Sequence, residues 1–516
     1  MREKAGATIT RPNLFTIDQG RTTVANSTLP TAHSLRLLLT ALFLLVPPGL
    51  LAQEGVDNAI RLSRQGLIFN ARALGMGNAY STIGDDFTAL RMNPATLGFS
   101  KGATYTMSVN TSAFVYNSDF YGTTSDFTTT NTTLSQAGLT FPIRLDSTRF
   151  MHIGLGYTMD KDFNAGAKYA GYNEGNTSYI QRLAESPTTT ARSLGLIYPV
   201  YDEAGRYMKD VTILTGDFEE SGYILDAGNL VHLQAGISLQ AAAGVHFGVS
   251  GSYNTGVYKS DRDFSAIDSR NVYADTVRTN PSDPRTAGFQ SGQYRDIRST
   301  TYKGWDVRFG LVYRLENFIG VSVAFKAPLP HTVFETRYQS GSTLFSAGNA
   351  IGVDPVPATT EYQLLPPYEA TVGASVNLWF LTGTAEATYV DYSAMLVTGG
   401  MDVPEQSDIN KRIKEEMTRV VNLNAGAEFR LPFTGLIARA GAMYRPSPYK
   451  ADPSRYDQKF VTLGFGINSA DRLHFDIGYL YRWNDAKKDE TQSSPEPSIE
   501  QTVKYHDLLI SAKFDF

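Results

Sequence analysis

The sequence predicts an all-β protein: a transmembrane antiparallel β-barrel of about fourteen strands with an N-terminal hatch, or plug, segment. Three observations predict it. Long stretches alternate apolar and polar residues with period two, the joins between them alternate between short and long, and one apolar run near the start has the layout of an export signal. Composition agrees. The 516 residues include 29 Tyr, 28 Phe and 45 Gly, and only 19% are charged, below the roughly 25% of an average soluble domain. That many aromatic residues excludes a disordered chain. A net charge of −5 offers no electrostatic footprint for nucleic acid. Cysteine is absent, which excludes disulfides, thiolate metal sites and a cysteine nucleophile.

The apolar run Leu37–Val46 follows Arg36 and is cut short by Pro47-Pro48. A basic flank, about ten apolar residues and a small residue at a cut after Ala52 describe a cleaved secretory signal, whereas a membrane helix needs about 20 apolar residues. The expected organisation is therefore residues 1–52 as extension and signal, 53–102 as hatch, and 103–516 as barrel.

Alternation is plainest at 472–483, where Leu473, Phe475, Ile477, Tyr479, Tyr481 and Trp483 share a face and only Leu480 breaks the polar face. Residues 304–315 behave alike, with Trp305, Val307, Phe309, Leu311, Tyr313 and Leu315 opposing Asp306, Arg308, Gly310 and Arg314. Runs of about 10–12 residues match what a tilted strand needs to cross a bilayer, and aromatic residues at their ends suit an interfacial girdle. Strands are expected near 103–116, 131–143, 148–160, 228–240, 244–260, 301–315, 319–338, 364–378, 382–393, 418–431, 435–446, 459–469, 472–484 and 503–516. Short joins such as 145–147, 241–243 and 470–471 alternate with long polar ones such as 161–227 and 261–300, the asymmetry of short periplasmic turns and long outer loops. Ser407–Thr418 reads as a short polar surface helix. The last strand ends in Phe516, which resembles the signal read by barrel assembly machinery.

Between the signal and the first strand, alternation lapses. Here stand Gly77, Ala79, Tyr80 and Ser81, then Asp85-Asp86, then Asn93-Pro94-Ala95. In order and spacing this resembles the hatch of the long-chain fatty acid transporter family (FadL type, including barrels for aromatic-hydrocarbon uptake). The resemblance implies capture of a hydrophobic small molecule at the outer loops, a lumen pocket, and sideways exit at a kinked third strand. Gly154 and Gly156 are its gate candidates there. Outer-membrane lipid and lipopolysaccharide would surround such a barrel. The 161–227 insertion, with Tyr169, Tyr172, Ile180, Leu183 and Leu194, is a candidate capture loop. A barrel that docks protein, as in type IX secretion, is the alternative; a plain porin fits the hatch poorly.

Inward-facing arginines are the ligand candidates: Arg308, Arg314, Arg430, Arg439 and Arg472, with Arg445 and Arg482 beside them. A guanidinium suits bidentate binding of a carboxylate headgroup, and it equally suits a salt-bridge ladder that stiffens the barrel. No cofactor or metal is expected, because none of the 7 His has ligand spacing. Gly248-Val249-Ser250-Gly251-Ser252 only approaches a nucleophile elbow, and on an alternating strand its serine is wall. No enzyme is expected.

Overall fold

A computed structural model describes residues 48–67, 70–146, 149–175, 177–185, 187–316, 318–469, 472–487 and 499–516. The apolar run of the expected signal lies outside the described residues. Helix α1 (Pro48–Ser63) runs through the expected cut after Ala52.

Fourteen strands close into a ring, each antiparallel to the next. They are β1 (Thr104–Phe120), β2 (Thr123–Arg144), β3 (Phe150–Asp162), β4 (Phe218–Ala242), β5 (Val245–Ile267), β6 (Phe289–Leu315) and β7 (Ile319–Pro328). Then follow β8 (Glu369–Leu378), β9 (Leu381–Asp391), β10 (Arg419–Arg430), β11 (Leu436–Arg445), β12 (Gln458–Ser469), β13 (Leu473–Lys487) and β14 (Glu500–Asp515). β14 pairs back onto β1, so the sheet has no edge at closure. The alternating residues do what their pattern requires. Trp305, Phe309, Leu311, Tyr313, Phe475 and Ile477 are exposed on the outside, while Asp306, Arg308 and Asp476 are buried inside. An oily exterior around a polar interior is the inverse of a soluble sandwich and suits lipid. Leu480, the one break in the polar face of β13, is buried against Leu509 and Phe460 inside the barrel.

Several strand expectations shift, and β4, β5 and β6 reach beyond the expected 228, 260 and 301 at their long-loop ends. β1 and β2 run past 116 and below 131 to meet in a two-residue turn, with Tyr121 and Gly122 at φ +48° and +74°, the pair of positive values a type I′ hairpin needs. The strand expected over 319–338 is two. β7 stays in the wall, whereas His331–Phe345 pairs with the far half of β6 and with Ala350–Leu365. Pro328 and Pro330 lack the N–H that would carry the ladder through. The expected surface helix is Val403–Glu416 (α6; Tyr179–Glu185 and Thr189–Ser193 are α4 and α5), and it is amphipathic. Its Ile409 and Ile413 are buried with Val56, Ala59 and Ile60 of α1 in one apolar cluster at the long-loop end.

The ring has one seam. β2 and β3 pair only as far as Gln136 and Thr158. Just beyond, Ser135 is an extra residue in β2 against β1, and Asp160 an extra residue in β3 against β4. Such bulges bend a strand and end its pairing. From there Thr123–Leu134 bonds to β1 alone, and the facing strand Ala165–Asn173 bonds to β4 alone. Side chains bridge the seam: Asn131 Nδ2 donates to Asp162 Oδ2 at 2.9 Å, and the Phe127 ring covers Gly166. Outward residues of β2 change there from Leu139 and Leu134 to Thr132, Thr130 and Thr128, so the seam begins at the margin of the apolar belt.

The orientation of β6 is directly testable. Phe309→Arg, in the apolar belt, should cost about 2–4 kcal/mol in urea unfolding from phospholipid vesicles, and Thr301→Arg, beyond Trp305, about 0–1 kcal/mol. Equal costs would contradict the lipid-facing assignment.

Candidate functional site

The lumen is filled by the segment from α1 to Phe99, through α2 (Ala71–Gly75), α3 (Ala89–Met92) and a 3₁₀ turn at Pro94–Phe99. It fits because inward positions of the wall are repeatedly glycine. A Cβ on Gly426 would stand 2.2 Å from the Met76 carbonyl oxygen, and one on Gly441 2.3 Å from the Gly77 nitrogen. One on Gly248 would stand 2.3 Å from the Ala95 nitrogen, and one on Gly138 2.1 Å from the Phe87 ring. Gly77 itself holds φ +58°, so it is glycine for conformation as well as space.

A buried irregular segment must find partners for its backbone, and the wall supplies them. Glu386 accepts from Ser81 N–H at 3.0 Å, and Ser511 Oγ accepts from Ala71 N–H at 2.8 Å. Ser238 and Ser250 donate to the Ala95 and Leu90 carbonyls at 2.7 and 2.8 Å. Asn93 fixes the turn before Pro94: its Oδ1 accepts from Ala95 N–H, and its Nδ2 donates to the Ser81 and Leu311 carbonyls. Ala79 and Tyr80 are buried, and the Tyr80 hydroxyl donates to Asp86 at 3.3 Å.

The acidic pair splits its tasks. Asp85 meets Arg72 at 3.0 Å and Lys513 at 3.5 Å. Burial pushes its carboxyl up, but Lys513, Arg72 and Arg314 outweigh that and hold it below the ordinary carboxylate range. Asp86 accepts from Asn70 Nδ2 and Thr88 N–H, and burial beside the negative Asp85 pushes it up.

Of the arginines, three are structural. Arg439 reaches Glu428 at 2.8 Å and Asp476 at 2.6 Å, Arg430 reaches Glu428 at 3.0 Å, and Arg308 reaches Glu369 at 3.4 Å. Arg314 donates to the Thr82 carbonyl and stacks over Phe99 at 3.4 Å, clamping the hatch exit. Arg472 is not in the lumen. It precedes the first residue of β13 and is exposed at the short-turn rim, because alternation has no hold before the ladder begins. Gly154 and Gly156 sit in ladders that are continuous on both sides, facing Leu90, Leu97 and Phe87 of the hatch. The break in the wall lies further along the same strand, past Thr158. The 161–227 insertion packs into an apolar cluster shared with neighbouring strands, where Ile180, Leu183, Leu194 and Ile197 are buried with Phe264, Phe289, Tyr294 and Phe345.

Above the hatch lies a cavity of about 410 Å³. Ile60 and Arg61 of α1 and Arg64 just after it border it at the long-loop end, Phe114, Tyr116, Tyr505, Arg482 and Arg445 face it from the wall, and Asp160–Ala165 lead from it to the seam. Sequence reasoning missed Arg91, which binds Asp160 at 2.6 Å, and Lys161, whose Nζ donates to the Arg61 and Leu62 carbonyls. Nothing in the spacing of 91, 160 and 161 signals that these residues meet.

A closed ring of fourteen antiparallel strands around a folded N-terminal plug defines the class: a hatch-bearing outer-membrane-type β-barrel. Within that class the fold is that of FadL/TodX-type channels. The structure is similar to the P. putida toluene transporter TodX over 87% of this chain and 99% of that one, at 14% identity and a TM-score of 0.51. It is similar to a Pseudomonas aeruginosa FadL homologue over 88% and 100%, at 13% identity and a TM-score of 0.54. No family profile and no curated protein sequence matches the chain.

Gly426→Leu should unseat the hatch and raise small-solute conductance in planar bilayers severalfold. Gly383→Leu on the neighbouring strand, where a Cβ meets nothing within 4 Å, should leave conductance unchanged.

Proposed function

We propose that this protein is an outer-membrane channel for passive uptake of hydrophobic small molecules, such as long-chain fatty acids or aromatic hydrocarbons. The long-loop end is extracellular, substrate rests in the cavity above the hatch, and it leaves sideways through the seam into the bilayer. The observation that carries this reading is that cavity and seam share residues: Asp162 and Ala165 border the cavity, and the same stretch lines the break beside β2. With the straight path filled by the hatch, a lateral step delivers apolar surface to lipid without passing it through water, which would cost about 25 cal/mol per Å² exposed. The toluene transporter and the FadL homologue of like fold support the substrate class. Export by a cleaved leader fits the apolar run at 37–46. Phe516, exposed at the strand end where its N–H donates to the Ala103 carbonyl, would be accessible to barrel assembly machinery.

The chain's lack of cysteine makes the exit easy to test. Asn131→Cys with Asp162→Cys, joined across the seam by a short bismaleimide, should abolish uptake of a labelled hydrophobic compound into cells, whereas the same variant without the cross-linker should retain it. Undiminished uptake through the cross-linked barrel would exclude the seam as the exit.

A further inference from the structure

The lumen's charges are unevenly satisfied, and much of the apolar lining of the cavity is aromatic. Arg91, Arg308, Arg430 and Arg439 each face a carboxylate within ion-pair distance. Arg482 has no such partner among the described residues; its Nε is buried without a hydrogen bond, and its guanidinium stands 4.6 Å from the Tyr505 ring. Arg445 donates to the Gln65 and Gly66 carbonyls, but its Nε is likewise buried and unpartnered. Cross-strand register puts Arg482 within an aromatic row on the inner face. Phe460 of β12 is opposite Arg482, Arg482 is opposite Tyr505 of β14, and Tyr505 is opposite Phe114 of β1. The Phe114 and Tyr505 rings lie 4.4 Å apart. On the other side the cavity is bordered by Asp160, Asp162 and Asp226, whose oxygens are taken by Arg91, by Asn131 and Asn164, and by Tyr258.

We infer that the cavity selects compact aromatic carboxylates, with the carboxylate on Arg482 and Arg445 and the ring plane against Phe114 and Tyr505. The inference rests on the uptake reading above and narrows its substrate. A long alkyl chain needs a continuous apolar trough, and here three carboxylates interrupt the wall. A neutral hydrocarbon filling the cavity would displace water from two guanidinium groups and offer no anion in exchange, which a hydrogen-bonding site penalises. An aromatic acid satisfies both elements at once, because a guanidinium can bind a carboxylate in its plane while its face lies on a ring.

The test is calorimetric titration of the full-length protein in detergent with 2-naphthoate, naphthalene-2-methanol and decanoate. 2-Naphthoate should bind at least about tenfold more tightly than either of the others. Arg482→Gln should weaken 2-naphthoate about tenfold and change naphthalene-2-methanol less than twofold. Tyr505→Leu keeps the charge and should reduce the preference for 2-naphthoate over decanoate, an independent arm if the arginine variant fails to fold. Equal or tighter binding of decanoate or the alcohol would overturn the aromatic-acid inference and leave uptake of hydrophobic molecules standing. Binding of none of the three would end both.

Discussion

The rest of the structure depends on close approach between two backbones, that of the hatch and that of the wall. Fourteen strands enclose more lumen than their own side chains fill. Period-two alternation sends every second wall residue inward, and where that residue is glycine the wall can receive a folded segment instead of a side chain. Met76 and Gly77 lie on Gly426 and Gly441, and Pro94 and Ala95 on Gly248 and Gly310. Side chains beside these glycines then supply the hydrogen bonds that an irregular buried segment lacks, as Glu386 does for Ser81 and Ser511 for Ala71. A plug held this way is part of the wall's packing, not a stopper lying in an open bore.

Charge follows from the same arrangement. At hatch level, acids and bases are taken out of bulk water together, and several are held by pairing: Arg72 with Asp85 and Glu428, Arg439 with Glu428 and Asp476, Lys326 with Glu369. Removing one partner would leave a buried charge, so this layer holds the hatch in one place. Above it, Arg445 and Arg482 face a cavity without carboxylate partners. The lumen thus divides into a paired layer that fixes structure and an unpaired surface that has charge to offer.

Strand number, lipid-facing residues and the turn at Asn93-Pro94 were legible in the sequence because each rests on a local pattern. Phe309 and Phe475 point outward for the reason alternation states, and Asn93-Pro94 turns for the reason its residue types state. What was illegible depends on register and on long-range meeting. Gly154 and Gly156 drew attention as flexible residues in the third strand, yet their role is space for Leu90 and Phe87, and the wall breaks past Thr158 instead. Bulges at Ser135 and Asp160 leave no mark in composition; they are visible only as a slip in pairing. Arg472 obeyed the period on paper but precedes the ladder that would have enforced it. Helix α6 showed its polar residues, while Ile409 and Ile413 acquire meaning only once α1 lies against them.

The bulge in β3 joins these threads. Asp160, the extra residue, turns inward to bind Arg91 of the hatch, and Lys161 beside it holds the end of α1 through the Arg61 and Leu62 carbonyls. One residue further, Asp162 is held across the seam by Asn131. Three consecutive residues therefore fasten the plug, the helix bordering the cavity and the break in the wall. Any displacement of α1 that admits a molecule pulls on Lys161 and, through a strand freed from β2 at that point, on the seam. A strand fully paired on both edges would spread such a load along its ladder; one that loses a neighbour past Thr158 concentrates it at the seam. On the proposed route, loading the cavity and parting the wall would be coupled by covalent adjacency.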